Sequence, residues 1–253
     1  MIIIKSAAEI EKMRRAGRIV AEVLERMRER VAPGVTTAEL DELAGAIIRK
    51  YNAIPSFNGY PPGGAHPFPA NICTSINEEL VHGIPGPRVL QEGDIISIDV
   101  GAILDGYHGD AATTLPVGEI SPEARRLLEV TEGALYAGIA AARAGNRSGD
   151  ISAAIQSHAE RHGYNVVREY TGHGIGRKMH EEPQVPNFGE PGKGVRLRRG
   201  MTLALEPMVL AGERFVRTLD DHWTVVSCDG KLTAHFEHTI AITDGEAEIL
   251  TRM

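Results

Sequence analysis

Residues 94–115 read DIISIDVGAILDGYHGDAATTL, and how this stretch is read decides the fold. DIISIDVGAIL is an apolar, β-branched run and reads as a strand over 94–104. Asp105-Gly106 is the two-residue signal for a tight hairpin turn, and a second strand follows from Tyr107 to Val117. A two-residue turn fixes the register: Leu104 faces Tyr107, and Gly101 faces Asp110. Asp99 then lies diagonal to Asp110 on the same face of the sheet, a separation of roughly 7–8 Å that side chains can close. Two carboxylates converging inside an apolar strand pair repel unless one holds a proton or a cation lies between them. Taken alone, the two could also be a turn residue and a cap.

Upstream, Ser6-Ala-Ala-Glu9 is a capping box. Apolar residues then recur at Ile10, Met13, Val20, Leu24, Met27 and Val31 with helical spacing, until Pro33-Gly34 ends the pattern. Thr36-Thr-Ala-Glu39 repeats the signature and opens a second helix through Leu40, Leu43, Ile47 and Ile48. Residues 55–71 hold five prolines and three glycines and predict a long functional loop, with a strand at Ile72–Ile76 beyond it. Downstream, Ser121-Pro122-Glu123 starts a helix that runs to about Arg143, and a further helix spans Ile151–His162. The last third reads as strands at Tyr164–Glu169, Met201–Leu210, Trp223–Cys228 and Lys231–Thr243, with Asp229-Gly230 as a hairpin between the last two. Helix pairs and antiparallel sheets thus alternate in two passes. The expectation is an α+β fold with two similar halves in one domain spanning 1–253.

Composition narrows the function. The chain has 253 residues, 27 Lys+Arg against 34 Asp+Glu, and a net charge of −7. An acidic chain of this kind lacks the basic surface that non-specific nucleic-acid or anionic-membrane binding requires. Nowhere do enough apolar residues run together to span a membrane, and no secretory leader pattern opens the sequence, so a cytoplasmic location is expected. Cys73 and Cys228 form no C-x-x-C pair, which excludes a thioredoxin-type site.

Three further groups share the character of Asp99 and Asp110: Glu206 in MTLALEPMVL, Glu237 in AHFEHTIAIT, and His173 between glycines in TGHGIG. The four carboxylates carry a charge that two divalent cations cancel. Oxygen donors with one imidazole suit Mn²⁺, Fe²⁺ or Co²⁺ better than a thiolate site would. A dinuclear centre places its metals ~3.5–4 Å apart, activates a bridging water and polarises a carbonyl, so metal-assisted hydrolysis is the expected reaction class. Competing motifs fail. His180-Glu181-Glu182-Pro183 lacks the second histidine of H-E-x-x-H, GHGIG misses the dinucleotide spacing, and there is no P-loop or G-x-S-x-G.

The chain resembles the type I methionine aminopeptidases in their short bacterial form. NICTSINEELVHGIP (71–85), DIISIDVGAILDGYHGDAATT (94–114), VVREYTGHGIGRKMHEEPQV (166–185), GMTLALEPM (200–208) and FEHTIAIT (236–243) carry the resemblance. It implies a pita-bread fold and removal of the initiator methionine from nascent chains when the second residue is small. By the same resemblance Asp99 holds one metal, Asp110 and Glu237 bridge both, and His173 and Glu206 hold the other. Glu206 is also the general acid/base, His82 contacts the substrate near its amino terminus, and His180 stabilises the scissile carbonyl oxygen. Tyr60, Phe68, Cys73 and Trp223 become the walls of the methionine pocket. Co, Mn, Fe or Zn could fill the metal sites. A monovalent cation (Na or K) would lie at Asn77, Glu79 and Thr233. Nascent N-termini are the implied partners, with transient ribosome association and a monomeric state. Two features depart from the family pattern: the loop GYPPGGAHPFP is longer, and Met179 stands where an aromatic is common. Two other readings remain at this point, a proline-specific peptidase of the same fold and a non-catalytic homologue that binds RNA or protein.

Overall fold

The first half is built as its capping signals predict. In the computed structural model, which describes residues 2–253, the helices are α1 (Ala7–Arg30) and α2 (Thr37–Lys50). Ser6 Oγ accepts from the Glu9 N–H while the Glu9 carboxylate accepts from the Ser6 N–H, and Thr36 and Glu39 do the same for α2. Each box satisfies two of the N–H groups a helix start leaves unpaired. Five strands follow: β1 (Ile54–Pro55), β2 (Cys73–Ile76), β3 (Glu79–Val81), β4 (Ile95–Leu104) and β5 (Tyr107–Pro116). β4 is central, with β5 on one edge and β1 and β2 in succession along the other. The hairpin has the expected register, Leu104 opposite Tyr107 and Gly101 opposite Asp110. Val20, Leu24 and Met27 of α1 and Ile48 of α2 pack onto Ile96, Ile98 and Val100 to make the first core. The approach of α1 is close: a Cβ on Gly109 would stand 2.6 Å from the Gly17 nitrogen, so the residue before Asp110 has to be glycine.

The second half repeats the plan with α3 (Pro122–Ala141) and α4 (Ser148–Arg161), followed by β6 (Asn165–Val166), β7 (Thr171–Gly174), β8 (Glu181–Pro186), β9 (Thr202–Leu205) and β10 (Met208–Leu210). The last strands are β11 (Val216–Thr218), β12 (Val225–Ser227), β13 (Thr233–His235), β14 (His238–Ala241) and β15 (Glu248–Ile249). One sheet runs β15-β14-β9-β7-β8, and two smaller ones run β13-β10-β6 and β11-β12-β3. Leu127, Leu135, Ile151 and Ile155 meet Leu203, Leu205 and Ile240 in a second core. The result is an α+β pita-bread fold, two halves of antiparallel sheet each backed by a helix pair.

Five sequence expectations change. Met201–Leu210 and Lys231–Thr243 each break into two strands that belong to different sheets: β9 pairs β14, whereas β10 pairs β13. The first break falls at Glu206-Pro207, where proline has no N–H to give the ladder. The facing break falls at Phe236-Glu237. Asp229-Gly230 makes a turn but no hairpin, since β12 pairs β11 and β3 instead of β13. There the Asp229 carboxylate accepts from the Glu213 and Lys231 N–H groups at 2.7 and 3.1 Å, which closes a wider loop. Tyr164–Glu169 contracts to β6, and α4 begins three residues early because Asp150 caps the Arg147 N–H at 2.7 Å.

Candidate metal centre

The two strand breaks and the hairpin point at one place. His238 opposes Leu205 on one side of the breaks and His235 opposes Met208 on the other, so the register is kept and Glu206 faces Glu237 across the gap. Asp99, in the middle of β4, and Asp110, in β5, meet them from the other half, since the Glu237 N–H donates to Ala112 O at 2.9 Å. His173 comes from β7, where its Nδ1 lies 2.9 Å from the Gly174 carbonyl. A carbonyl only accepts, so Nδ1 carries the proton and the Nε2 lone pair faces inward. Nε2 stands 3.4 Å from Glu206 Oε1 and 4.0 Å from Asp110 Oδ2. One donor atom each from Asp110, His173 and Glu237 falls within 4.8 Å of the others.

The electrostatics of this cluster are adverse without a cation. Burial raises Asp99 to about 7 and pushes Asp110, Glu206 and Glu237 well above the usual carboxylate range, and the neighbouring carboxylates add to the last three. Burial lowers His173 to about 3, which leaves a neutral imidazole. Asp99 Oδ1, Asp110 Oδ1 and Glu237 Oε1 are buried with no hydrogen-bond partner among the described residues. Unpaired buried polar atoms are costly, and acceptors that converge without a donor are a fit for a hard or borderline divalent cation.

All five groups line a single cavity of about 160 Å³. That is close to the roughly 150 Å³ of an engineered apolar cavity that takes up a benzene-sized guest. The remaining residues expected at the site line it too: His82, His180, Tyr60, Phe68, Cys73 and Trp223. Phe68 packs edge-on against Trp223 with ring centroids 5.2 Å apart, and the Trp223 Nε1–H donates to the His66 carbonyl at 3.0 Å, tying the long loop down. His82 adopts φ 60°, a left-handed conformation that costs a non-glycine residue energy and is commonest at functional sites. Burial lowers its imidazole to about 4. Gly83 beside it cannot carry a side chain, because a Cβ would lie 2.1 Å from Thr74 O. Asn77, Glu79 and Thr233 also meet, with Thr233 Oγ1 at 3.1 and 3.0 Å from the carbonyls of Asn77 and Glu79.

Sequence reading missed several residues of the cavity. Phe57, Tyr170 and Met208 line it, whereas Met179, which the sequence did single out, closes one side with Phe57, Phe68 and Cys73. The largest omission lies behind the cavity lining: His235 is buried, its Nε2 has no hydrogen-bond partner among the described residues, and it sits 4.0 Å from carboxylate oxygens of both Glu206 and Glu237. A signal was available, because His235 is two residues from Glu237 and strand alternation puts both on one face.

The model of metallopeptidase family M24 matches residues 11–244. This chain belongs to that family. The chain is 56% identical to methionine aminopeptidase 1 of Bacillus subtilis over 253 residues, which is 100% of both chains. The crystal structure of a methionine aminopeptidase from Thermotoga maritima superimposes with a TM-score of 0.96 at 48% identity, again over 100% of each chain. A Xaa-Pro dipeptidase from Bacillus anthracis has the same fold, with a TM-score of 0.79 at 24% identity; the M24 chain described here covers 62% of it. The M24 metallopeptidase thus carries its candidate metal centre at the seam between its two halves. No helix among the described residues is long and apolar enough to cross a membrane.

Proposed function

We propose that this M24 peptidase removes the initiator methionine from nascent chains whose second residue is small. The observation that carries the reading is the convergence of four carboxylates, Asp110 and Glu237 buried and Asp99 and Glu206 half-buried, with a neutral imidazole in one small, aromatic-walled cavity. Full-length similarity to methionine aminopeptidases supports it, where the likeness to a proline-specific enzyme extends to fold alone.

Asp99, Asp110, His173, Glu206 and Glu237 would hold two divalent ions (Co, Mn, Fe or Zn), Asp110 and Glu237 shared between them. When bound, such ions would polarise the scissile carbonyl and acidify a water. Glu206 would take the proton from that water and return it to the leaving nitrogen. His180 would donate to the carbonyl oxygen as it gains charge, and His82, kept neutral by burial, would contact the substrate near its amino terminus and assist at the scissile nitrogen. The methionine side chain would lie among Tyr60, Phe68, Cys73 and Trp223, where a polarisable thioether gains from aromatic contact. A crowded cavity leaves little room past the scissile bond, and this would restrict the second residue. The carbonyls of Asn77 and Glu79 with the Thr233 hydroxyl would suit a sodium or potassium ion. We take residues 1–253 as one catalytic domain, acting as a cytoplasmic monomer in transient association with the ribosome.

The test is release of free methionine from Met-Ala-Ser and Met-Leu-Ser by chelator-stripped protein with and without Co²⁺ or Mn²⁺. Metal-dependent cleavage of the first peptide alone is expected. No cleavage of either with metal bound would overturn the reading, and cleavage of an Xaa-Pro peptide instead would favour the proline-specific one.

A further inference from the structure

The family resemblance implies that Tyr60 is a pocket wall, and it lines the cavity with its hydroxyl engaged by a neighbouring histidine. Tyr60 Oη lies 2.6 Å from His180 Nδ1, and the two rings are 5.3 Å apart. Neither Oη nor His180 Nε2 has another hydrogen-bond partner among the described residues. Both ends of the contact are held. The Gly59 N–H donates to Phe68 O and the Phe68 N–H to Tyr60 O, each at 2.8 Å, which clamps the base of the proline-rich loop. On the other side the turn carrying His180 is fixed through Glu181. Its carboxylate accepts from the Lys178 N–H and pairs with buried Lys5 at 2.6 Å.

A phenol and a neutral imidazole can share this bond in two ways. If Nδ1 carried the proton, it would donate to Oη, and the bare Nε2 lone pair would face a cavity already crowded with acceptors. If Oη–H donates to Nδ1, Nε2 carries the proton and presents a donor to that cavity. A phenol hydroxyl is a good donor, and carboxylates with no donor nearby favour N–H over a lone pair. We propose that Tyr60 is a positioning residue: its hydroxyl donates to His180 Nδ1, fixes the ring as the Nε2–H tautomer, and aims that N–H into the pocket. The tautomer is inferred from this contact together with the acceptors that line the cavity; its effect on catalysis rests on the proposed role of His180 toward the scissile carbonyl oxygen.

The test uses the full chain loaded with diamagnetic Zn²⁺ and labelled with ¹⁵N-histidine, with His180 assigned by the signal that H180Q removes. Long-range proton–nitrogen spectra of the wild type should give the Nε2–H pattern for His180, and Tyr60→Phe, which keeps the ring, should give a mixture of tautomers. In the same variant kcat on Met-Ala-Ser should fall about three- to tenfold, the worth of one ordinary hydrogen bond, with KM within about twofold. Y60F/H180Q should be no slower than H180Q alone. An Nδ1–H wild type, an unchanged spectrum in Y60F, or an equal further loss in the H180Q background would each overturn the proposal. Should the wild type release no methionine at all, the proposed function fails, and the spectra still decide the tautomer.

Discussion

Metal loading of the stripped protein should expel protons in a number set by the burial of its ligands. Asp99, raised to about 7, is half protonated at neutral pH, so it holds about half a proton. Burial and the neighbouring carboxylates push Asp110, Glu206 and Glu237 well above the usual carboxylate range, so they add to that number, while His173, lowered to about 3, has none to give. A cation binds only the deprotonated forms, so saturating the site near pH 7 should release more than the roughly half a proton that Asp99 alone supplies. Carboxylates with ordinary values near 4 would release about 0.01 of a proton in total. The sign follows: raising the pH removes competing protons, and the apparent affinity should climb by about one power of ten per pH unit for each proton displaced. Calorimetric titration with Co²⁺ or Mn²⁺ in buffers of different ionisation enthalpy counts the protons directly. Fewer than about half a proton per chain at saturation would mean that burial does not raise these carboxyls in the metal-free protein, and the electrostatic account of the site would be wrong.

Glu206→Gln should lower kcat by ~10²-fold or more, since it removes both a ligand charge and the proton carrier; retention of a tenth of the activity would contradict that role. Gly83→Ala should destabilise the fold by about 1–3 kcal/mol, because the new Cβ meets Thr74 O, and a denaturant midpoint equal to wild type would refute the close approach. His235→Leu should weaken Mn²⁺ binding about 10- to 100-fold, as loss of a ligand's supporting partner does, and His235→Gln should recover most of it. Equal affinities in the two variants would mean that packing, not a polar contact with Glu206 and Glu237, is what His235 supplies.

The parts legible from sequence are those governed by local chemistry. Asp105-Gly106 admits one register, so the hairpin and the meeting of Asp99 with Asp110 could be derived before any coordinates. Ser6, Thr36 and Ser121 announced their helices because caps act within one turn. The breaks at Pro207 and Glu237 were not read, since a strand that changes sheets keeps its apolar run on both sides of the change. Asp229-Gly230 misled for the complementary reason: a turn signal specifies the bend and says nothing about which strand lies beside it. Tyr170 and Phe57 reach the cavity from loops, where neither alternation nor helical spacing marks the inward face. The five acidic and imidazole groups stood out because each interrupts an apolar or glycine-rich run with a group that burial penalises.

The unbroken register across the two strand breaks has a mechanical consequence. Between the rungs at His238–Leu205 and His235–Met208, the ladder keeps only the Phe236 N–H to Pro207 O bond, at 3.3 Å. Glu206 and Glu237 occupy the missing rung, which leaves a point of weakness in the strands that link the two sheets. A divalent cation shared there would replace the lost backbone rung with a far stiffer one. The same ion that serves chemistry would then act as a rivet, and amide exchange at Phe236 and Glu237 should slow on metal loading while that of the distant α4 stays as it was.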